Sequence, residues 1–232
     1  MSRERLGKFQ NMIGYHFQNE NLLKNALTHS SYANEKHWQY AANNERLEFL
    51  GDAVLELVSS EFIFLDNPKM EEGKMTKMRA SLVCEMSLAE AAREIHLGDY
   101  INLGKGEYLT GGNKRDSILS DAFEAVIGAI YLDGGFEPAG AFVRTFVLSD
   151  IEKKQLFHDS KTILQEMIQD KSHENTHIVY SVLSEHGPDH NKQFEVCCEI
   201  NGVQYAKGSG HTKKAAEQKA AYETILLLRN EE

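Results

Sequence analysis

Two short stretches of this chain gather carboxylates in a pattern that could do chemistry. In NNERLEFLGDAVL (43–55) and the residue that follows it, Glu45, Glu48, Asp52 and Glu56 fall within an arc of about 80° if the segment is helical at about 100° per residue. The other side carries Leu47, Leu50, Val54, Leu57 and Val58, which predicts a core stripe backed by a stripe of negative charge. Like charges one helical turn apart repel, so this face is either fully solvated or compensated by something positive. The second stretch, SILSDAFEAVIGAIYLDGG (117–135), places Asp121 and Glu124 three apart on a helix otherwise nearly all apolar or small. A carboxylate carried into the interior needs a partner or a cation. Arg79 or Arg115 is the protein-only solution. The other solution has the two helices crossing on the side of Ala125 and Gly128, where another backbone can come close. Glu48, Asp52, Asp121 and Glu124 would then converge into an all-oxygen site of the kind hard divalent ions, Mg²⁺ or Mn²⁺, prefer.

The elements that must position these groups can be read from periodicity. To about residue 150 apolar residues recur at three- and four-residue spacing, which predicts helices over Asn44–Phe64, Thr76–Ile95 and Ser117–Leu132 with no strand alternation. Asn67–Pro68 stops the longest of them. A polar stretch around Glu152, Lys153 and Lys154 follows, and the period then changes. A short helix (Lys161–Asp170) leads into alternating runs, Ile178–Tyr180–Val182, then Phe194–Val196–Cys198–Ile200, then Val203–Tyr205. Turns are expected at Gly187–Pro188 and at Asn201–Gly202, and a last helix at Thr212–Leu228. The reading is an all-α domain over residues 1–152, a linker at 153–159 and a small α-β-β-β-α domain over 160–232.

Composition bounds the function. The 232 residues carry 25 Lys and Arg against 35 Asp and Glu, a formal net charge of −10, and both domains are net negative, so any nucleic-acid contact must be local. The longest clear apolar run, AVIGAIYL at 125–132, is far short of the roughly 18 residues of a membrane span. The basic opening MSRERLGKFQ lacks the apolar core of a signal peptide, so no membrane association and a cytoplasmic protein are expected. Cys84, Cys197 and Cys198 cannot build a disulfide framework, and the last two should point to opposite faces of a strand.

The first acidic stretch closely resembles the sequence that marks the catalytic helix of ribonuclease III enzymes, and SILSDAFEAVIGAIYLDGG resembles their second acidic motif. THSSYANE (28–35) and GKMTKMRASLV (73–83) are also similar to family segments, and the resemblance runs over essentially the whole chain. It implies a homodimeric endoribonuclease that cuts both strands of an RNA duplex, leaving 5′-phosphate and 3′-hydroxyl ends. It further implies that Glu48, Asp52, Asp121 and Glu124 hold Mg²⁺, with Mn²⁺ able to substitute. Asp52 and Glu124 are then catalytic, and Glu45 contacts substrate or water. Apolar residues beside the acidic helix, such as Phe49 and Leu50, would contribute to the dimer. Processing of ribosomal, messenger and transfer RNA is the family's expected role.

The second domain resembles a double-stranded-RNA-binding domain, with GPDHNKQFEV (187–196) and GSGHTKKAAEQKAA (208–221) similar to two of its contact regions. Lys213 and Lys214 open the last helix, where its dipole adds to their charge toward phosphates, and Thr212 is the expected N-cap. Pro188 and His190 would reach a minor groove, while Gln165 would bond 2′-hydroxyls and base edges. In GGNKRDS (111–117) this chain has Asn113 where the family commonly has Arg, with Lys114 and Arg115 adjacent. Other signals are set aside. Gly104-Lys105-Gly106 lacks phosphate-loop spacing, and His158–Asp159 lacks the supporting histidines of a phosphohydrolase. Trp38, Met70, Met75, Met78 and Met86 read as packing residues. Two other classes remain as alternatives: a non-cleaving RNA-binding scaffold, which would be expected to have lost one of the acids, and a small-nucleotide phosphohydrolase, which leaves the second domain unexplained.

Overall fold

The computed structural model describes residues 3–38, 43–149, 151, 156–157, 159–171, 177–187, 192–210 and 212–230. The first part of the chain folds as helices α1 (Arg3–Ile13), α2 (Glu20–Ala26), α3 (Ser30–Glu35), α4 (Glu45–Asp66), α5 (Glu72–Leu82), α6 (Glu85–Glu94), α7 (Lys105–Leu109), α8 (Asp116–Gly134) and α9 (Phe136–Phe146). They belong to a compact unit, Met1–Ser149, and a second unit spans Asp150–Glu232. Among the described residues no helix is long and apolar enough to cross a membrane.

α8 is the most apolar helix of the first unit. From Ile118 to Ile130 all its residues except Asp121 and Glu124 are buried. α4 runs 22 residues because no helix breaker intervenes before Pro68. Asn67 closes it, its backbone amide and its side-chain amide both bonding the Ile63 carbonyl at 3.1 and 3.2 Å. The two helices meet backbone to backbone. A Cβ on Gly51 would lie 1.8 Å from the Glu124 carbonyl oxygen, and one on Gly128 would lie 2.2 Å from that of Leu47. No side chain fits at either point, which accounts for a glycine in the interior of each helix despite its cost of about 1 kcal/mol relative to Ala.

Two expectations need correction. The helix expected over Thr76–Ile95 is two helices, broken at Val83 and Cys84. Cys84 is extended (φ −72°, ψ 157°), and the Ser81 carbonyl left over at the break accepts the Ser87 hydroxyl at 2.8 Å. Buried Leu82 and Leu88 lie on either side, so the apolar spacing runs through the break without signalling it. The core stripe of α4 is Leu47, Val54, Leu55 and Val58, whereas Leu57 is 58% exposed. The lack of strands in this unit holds for the described residues apart from an isolated parallel bridge between Thr28 and Asn102.

The second unit has α10 (Ser160–Lys171), β1 (Ile178–His186), β2 (Gln193–Ile200), β3 (Val203–Gly210) and α11 (Lys213–Asn230), with the sheet antiparallel in the order β1-β2-β3. Phe194, Val196, Cys198 and Ile200 face Leu164 of α10 and Ala216, Ala220 and Ile225 of α11. Cys197 is buried as well. Asn201 (φ 51°) and Gly202 (φ 79°) both adopt left-handed backbone, as a tight hairpin joining twisted strands requires. Thr212 caps α11, its hydroxyl accepting the Ala215 amide at 3.1 Å. Phe157, in the stretch read as linker, packs edge-on against Tyr222, and its carbonyl accepts the Gln218 side chain at 3.0 Å. Pro188, and with it the expected Gly187–Pro188 turn, lies outside the described residues.

Gly51→Ala should destabilise the helical unit by about 1–3 kcal/mol or more, the cost of overpacking a close backbone contact. Gly7→Ala, where a Cβ meets nothing within 4 Å, should stabilise α1 by about 0.5–1 kcal/mol. Urea unfolding of both variants checks the pair, and an unperturbed Gly51→Ala would refute the contact.

Candidate active site

The α4–α8 contact brings the two acidic stretches to one side. Glu48 and Asp52 flank Gly51 on α4, while Glu124 carries the carbonyl that touches it from α8. Glu48, Asp121 and Glu124 are half-buried, and Asp52 and Glu45 are exposed. Their fields overlap. Burial, then the charges of Asp121, Glu45 and Asp52, push the Glu48 carboxyl up to about 7. Burial, then Asp52, Glu48, Asp121 and Glu56, push Glu124 up to about 8. Asp121 is also raised, by burial, against a hydrogen bond from Ser120 and the nearby His29. This is the signature of like charges held together at reduced hydration.

Among the described residues neither arginine pairs with Asp121 or Glu124, and Arg79 compensates only Glu56, at the end of the α4 stripe. Arg79 pairs with Glu56 at 2.7 Å and donates to the Ser60 hydroxyl at 2.8 Å, and Arg115 pairs with Glu107 at 2.6 Å. The donor set that remains is all carboxylate oxygen, which fits a hard divalent cation. Among the described residues no three His, Cys, Asp or Glu side chains close on one point.

Two residues to which the sequence pattern assigns no role belong to this site. Gly51 is the contact itself, and its signal is a glycine between two acids in the interior of a long helix. His29 caps α3, its Nδ1 accepting the Ser31 amide at 3.2 Å, so the neutral ring carries its proton on Nε2. Burial lowers its pKa against the pull of Glu107, Asp121 and Glu45.

The other residues expected to act fall in the second unit or outside the described residues. Gln165 is exposed on α10, and Lys213 and Lys214 are exposed in the first turn of α11. Pro188, His190 and His158 lie outside the described residues. Asn113 is half-buried in a short 3-10 turn beside Gly98, Lys114 is exposed, and Arg115 is held by Glu107.

A family described as Ribonuclease-III-like matches residues 19–151, and the double-stranded RNA binding motif matches residues 160–228. The chain is 47% identical over 227 residues to a protein named Ribonuclease 3 from Bacillus velezensis, covering 97% of this chain and 90% of that one. The chain belongs to the ribonuclease III family. Ribonuclease 3 of Listeria welshimeri is 48% identical over 223 residues, covering 95% of this chain and 96% of that one. Among solved structures, the nuclease domain of ribonuclease III from Campylobacter jejuni, described with a flexible region involved in dimer formation, matches with a TM-score of 0.57 at 45% identity, covering 61% of this chain and 95% of that one. In ribonuclease III terms, the helical unit is the nuclease domain and the second unit the RNA-binding domain.

The raised carboxyls tie stability to pH. Between their ordinary value of 4.5 and the folded values of about 7 and about 8, the native state binds more protons than the unfolded one, so stability falls as pH rises through that window. In EDTA the melting temperature of the helical unit should drop by roughly 2–4 °C over the upper part of it, after discounting for the groups' partial exposure. Glu124→Gln should flatten that decline, and a melting temperature that rises through the window would contradict the electrostatics.

Proposed function

We propose that this chain is a double-strand-specific endoribonuclease whose site is the acidic cluster of α4 and α8. The observation that carries the reading is a set of carboxylates, Glu48, Asp121 and Glu124 half-buried and none of the three paired with an arginine among the described residues, at a glycine–glycine helix contact, in a chain whose second domain matches an RNA-binding motif. Glu48, Asp52, Asp121 and Glu124 would hold Mg²⁺, or Mn²⁺ in its place. Such an ion, when bound, makes water a nucleophile near neutral pH and stabilises the leaving oxygen. In the hydrolysis the water oxygen bonds to phosphorus, the bond from phosphorus to the 3′-oxygen breaks, and that oxygen leaves with a proton. The products are 5′-phosphate and 3′-hydroxyl ends. Asp52 and Glu124 act at the reacting phosphate, and Glu45, exposed at the start of α4, contacts substrate or water.

Binding is the task of the second domain, taken as residues 160–232, with 153–159 as linker and 1–152 as nuclease. Lys213 and Lys214 present charge at a helix N-terminus, where free amides and the dipole favour phosphate. Gln165 on α10 lies beside Lys161 and His177 in a shallow cavity suited to 2′-hydroxyls, and Pro188 and His190 are assigned to the minor groove. One acidic site faces one strand, so paired cuts call for two copies related by a two-fold axis. α4 supplies a surface for the second copy, since Phe49 is 81%, Leu57 58%, Phe64 66% and Leu65 69% exposed. Leu50 is half-buried. Maturation of ribosomal, messenger and transfer RNA in the cytoplasm is the setting this activity fits.

Incubating a labelled RNA duplex with the protein in Mg²⁺ and in EDTA tests the reading. Cleavage should require the metal, and Glu124→Gln should lower it about a thousandfold, the worth of several kcal/mol of transition-state stabilisation, while duplex binding persists. Binding without cleavage in either Mg²⁺ or Mn²⁺ would establish a scaffold instead. Phe49→Asp should sediment as a monomer with native helicity and make no paired cuts, and an unchanged dimer would remove α4 from the interface.

A further inference from the structure

A cavity of about 460 Å³ opens on the nuclease domain where α2, α3 and the segment around Asn102 come together. Its walls include the rings of Tyr32 and Trp38, which meet edge to face at 5.6 Å and 80°. The Lys36 ammonium sits 5.4 Å over the Tyr32 ring. Trp38, which the sequence reads as packing, is 51% exposed and leaves indole surface for a planar ligand. Asn21 and Asn102 add amides, each offering donors and an acceptor, and Lys24 adds a cation that a phosphate would have to share with Glu20, 3.8 Å away. Among the described residues no carboxylate lines the cavity, so its chemistry does not suit a metal ion.

The cavity floor is tied to the acidic site. Asn102 donates through its side chain to the Thr28 hydroxyl at 3.3 Å. The Thr28 carbonyl accepts the amide of Asn44, which precedes α4, at 2.9 Å. The neighbouring His29 is close enough to Asp121 and Glu45 to feel their charge. The cavity and the start of α4 are thus joined through Thr28.

We propose that this cavity takes one unstacked nucleobase of an RNA strand, stacked on Trp38 and read by the amides of Asn21 and Asn102, with Lys24 toward its phosphate. Aromatic stacking combined with amide hydrogen bonds on base edges is how proteins hold unpaired bases. The volume falls within the roughly 300–1,000 Å³ of ligand pockets. The natural ligand follows from the RNA-cleaving reading, whereas the base pocket itself does not depend on cleavage.

Trp38 is the chain's single tryptophan, so its emission reports the pocket directly in the full-length protein. In EDTA it is titrated with the four nucleoside 5′-monophosphates, with ribose 5-phosphate, and with an RNA duplex either fully paired or carrying one unpaired nucleotide. Saturable quenching by the monophosphates at roughly millimolar concentration, absent with ribose 5-phosphate, supports a base site. Asn21→Ala, at an exposed position and with unchanged melting, should weaken it about three- to tenfold, the worth of one hydrogen bond. The duplex with the unpaired nucleotide should quench beyond the paired one. Equal quenching by ribose 5-phosphate would reduce the cavity to a phosphate contact, equal quenching by the two duplexes would remove the RNA strand as ligand, and no saturable response would end the proposal. A protein that quenches but never cleaves would fail the function proposed above and leave the pocket standing.

Discussion

The contact on which the site depends is between two backbones. Gly51 and Gly128 let α4 and α8 approach until the position of a missing Cβ coincides with a carbonyl of the other helix. At any ordinary helix spacing, about 8–10 Å between axes, a side chain would stand between them and the acids would lie farther apart in better-hydrated surroundings. Close approach instead leaves Glu48, Asp121 and Glu124 half-buried and within reach of one another's charge. Their raised proton affinities follow from that geometry. Stability and chemistry therefore oppose each other here, since the buried packing of α8 holds together charges that would separate if free.

Much of this is legible in the sequence because the acidic stripe and the apolar stripe of α4 share one helical period. Four carboxylates within one arc, and an acidic pair inside the apolar α8, mark the candidate site from residue type and spacing alone. What the spacing does not show is which carboxylate each arginine takes. Arg79 sits beside Glu56 and Ser60, and a tertiary pairing of that kind leaves no periodic trace. Leu57 misleads for a related reason, because an apolar residue at the margin of a stripe packs inward in a monomer or outward toward a partner, and periodicity alone does not separate the two. The break at Cys84 is hidden because buried leucines on both sides keep the helical spacing. Residue type alone reads Trp38 as core, and only the tertiary fold leaves half of it in solvent.

In the second domain the alternation of Phe194, Val196, Cys198 and Ile200 sets the inner face of the sheet, and Asn201–Gly202 sets its hairpin through the left-handed backbone that only such residues adopt readily. Glycine acts here too. A Cβ on Gly208 would lie 2.2 Å from the Ala220 amide nitrogen, so β3 lies directly on α11, whose first turn carries Lys213 and Lys214. The domain is acidic overall, yet Lys213 and Lys214 are placed where a helix end reinforces their charge. Affinity for a polyanion depends on such local placement and on the counterions it releases, and the net charge of the chain sets only the background.

If the α4–α8 carboxylates form one coupled acidic site, a divalent cation that binds there displaces protons. Calorimetric titration of the full-length protein with Mg²⁺ near neutral pH, in two buffers of different ionisation heat, measures both halves of that exchange. Binding should release on the order of one proton per site, and Glu124→Gln should reduce both the affinity and the release. Binding with no buffer dependence, or binding that Glu124→Gln leaves unchanged, would show that the carboxylates do not act together.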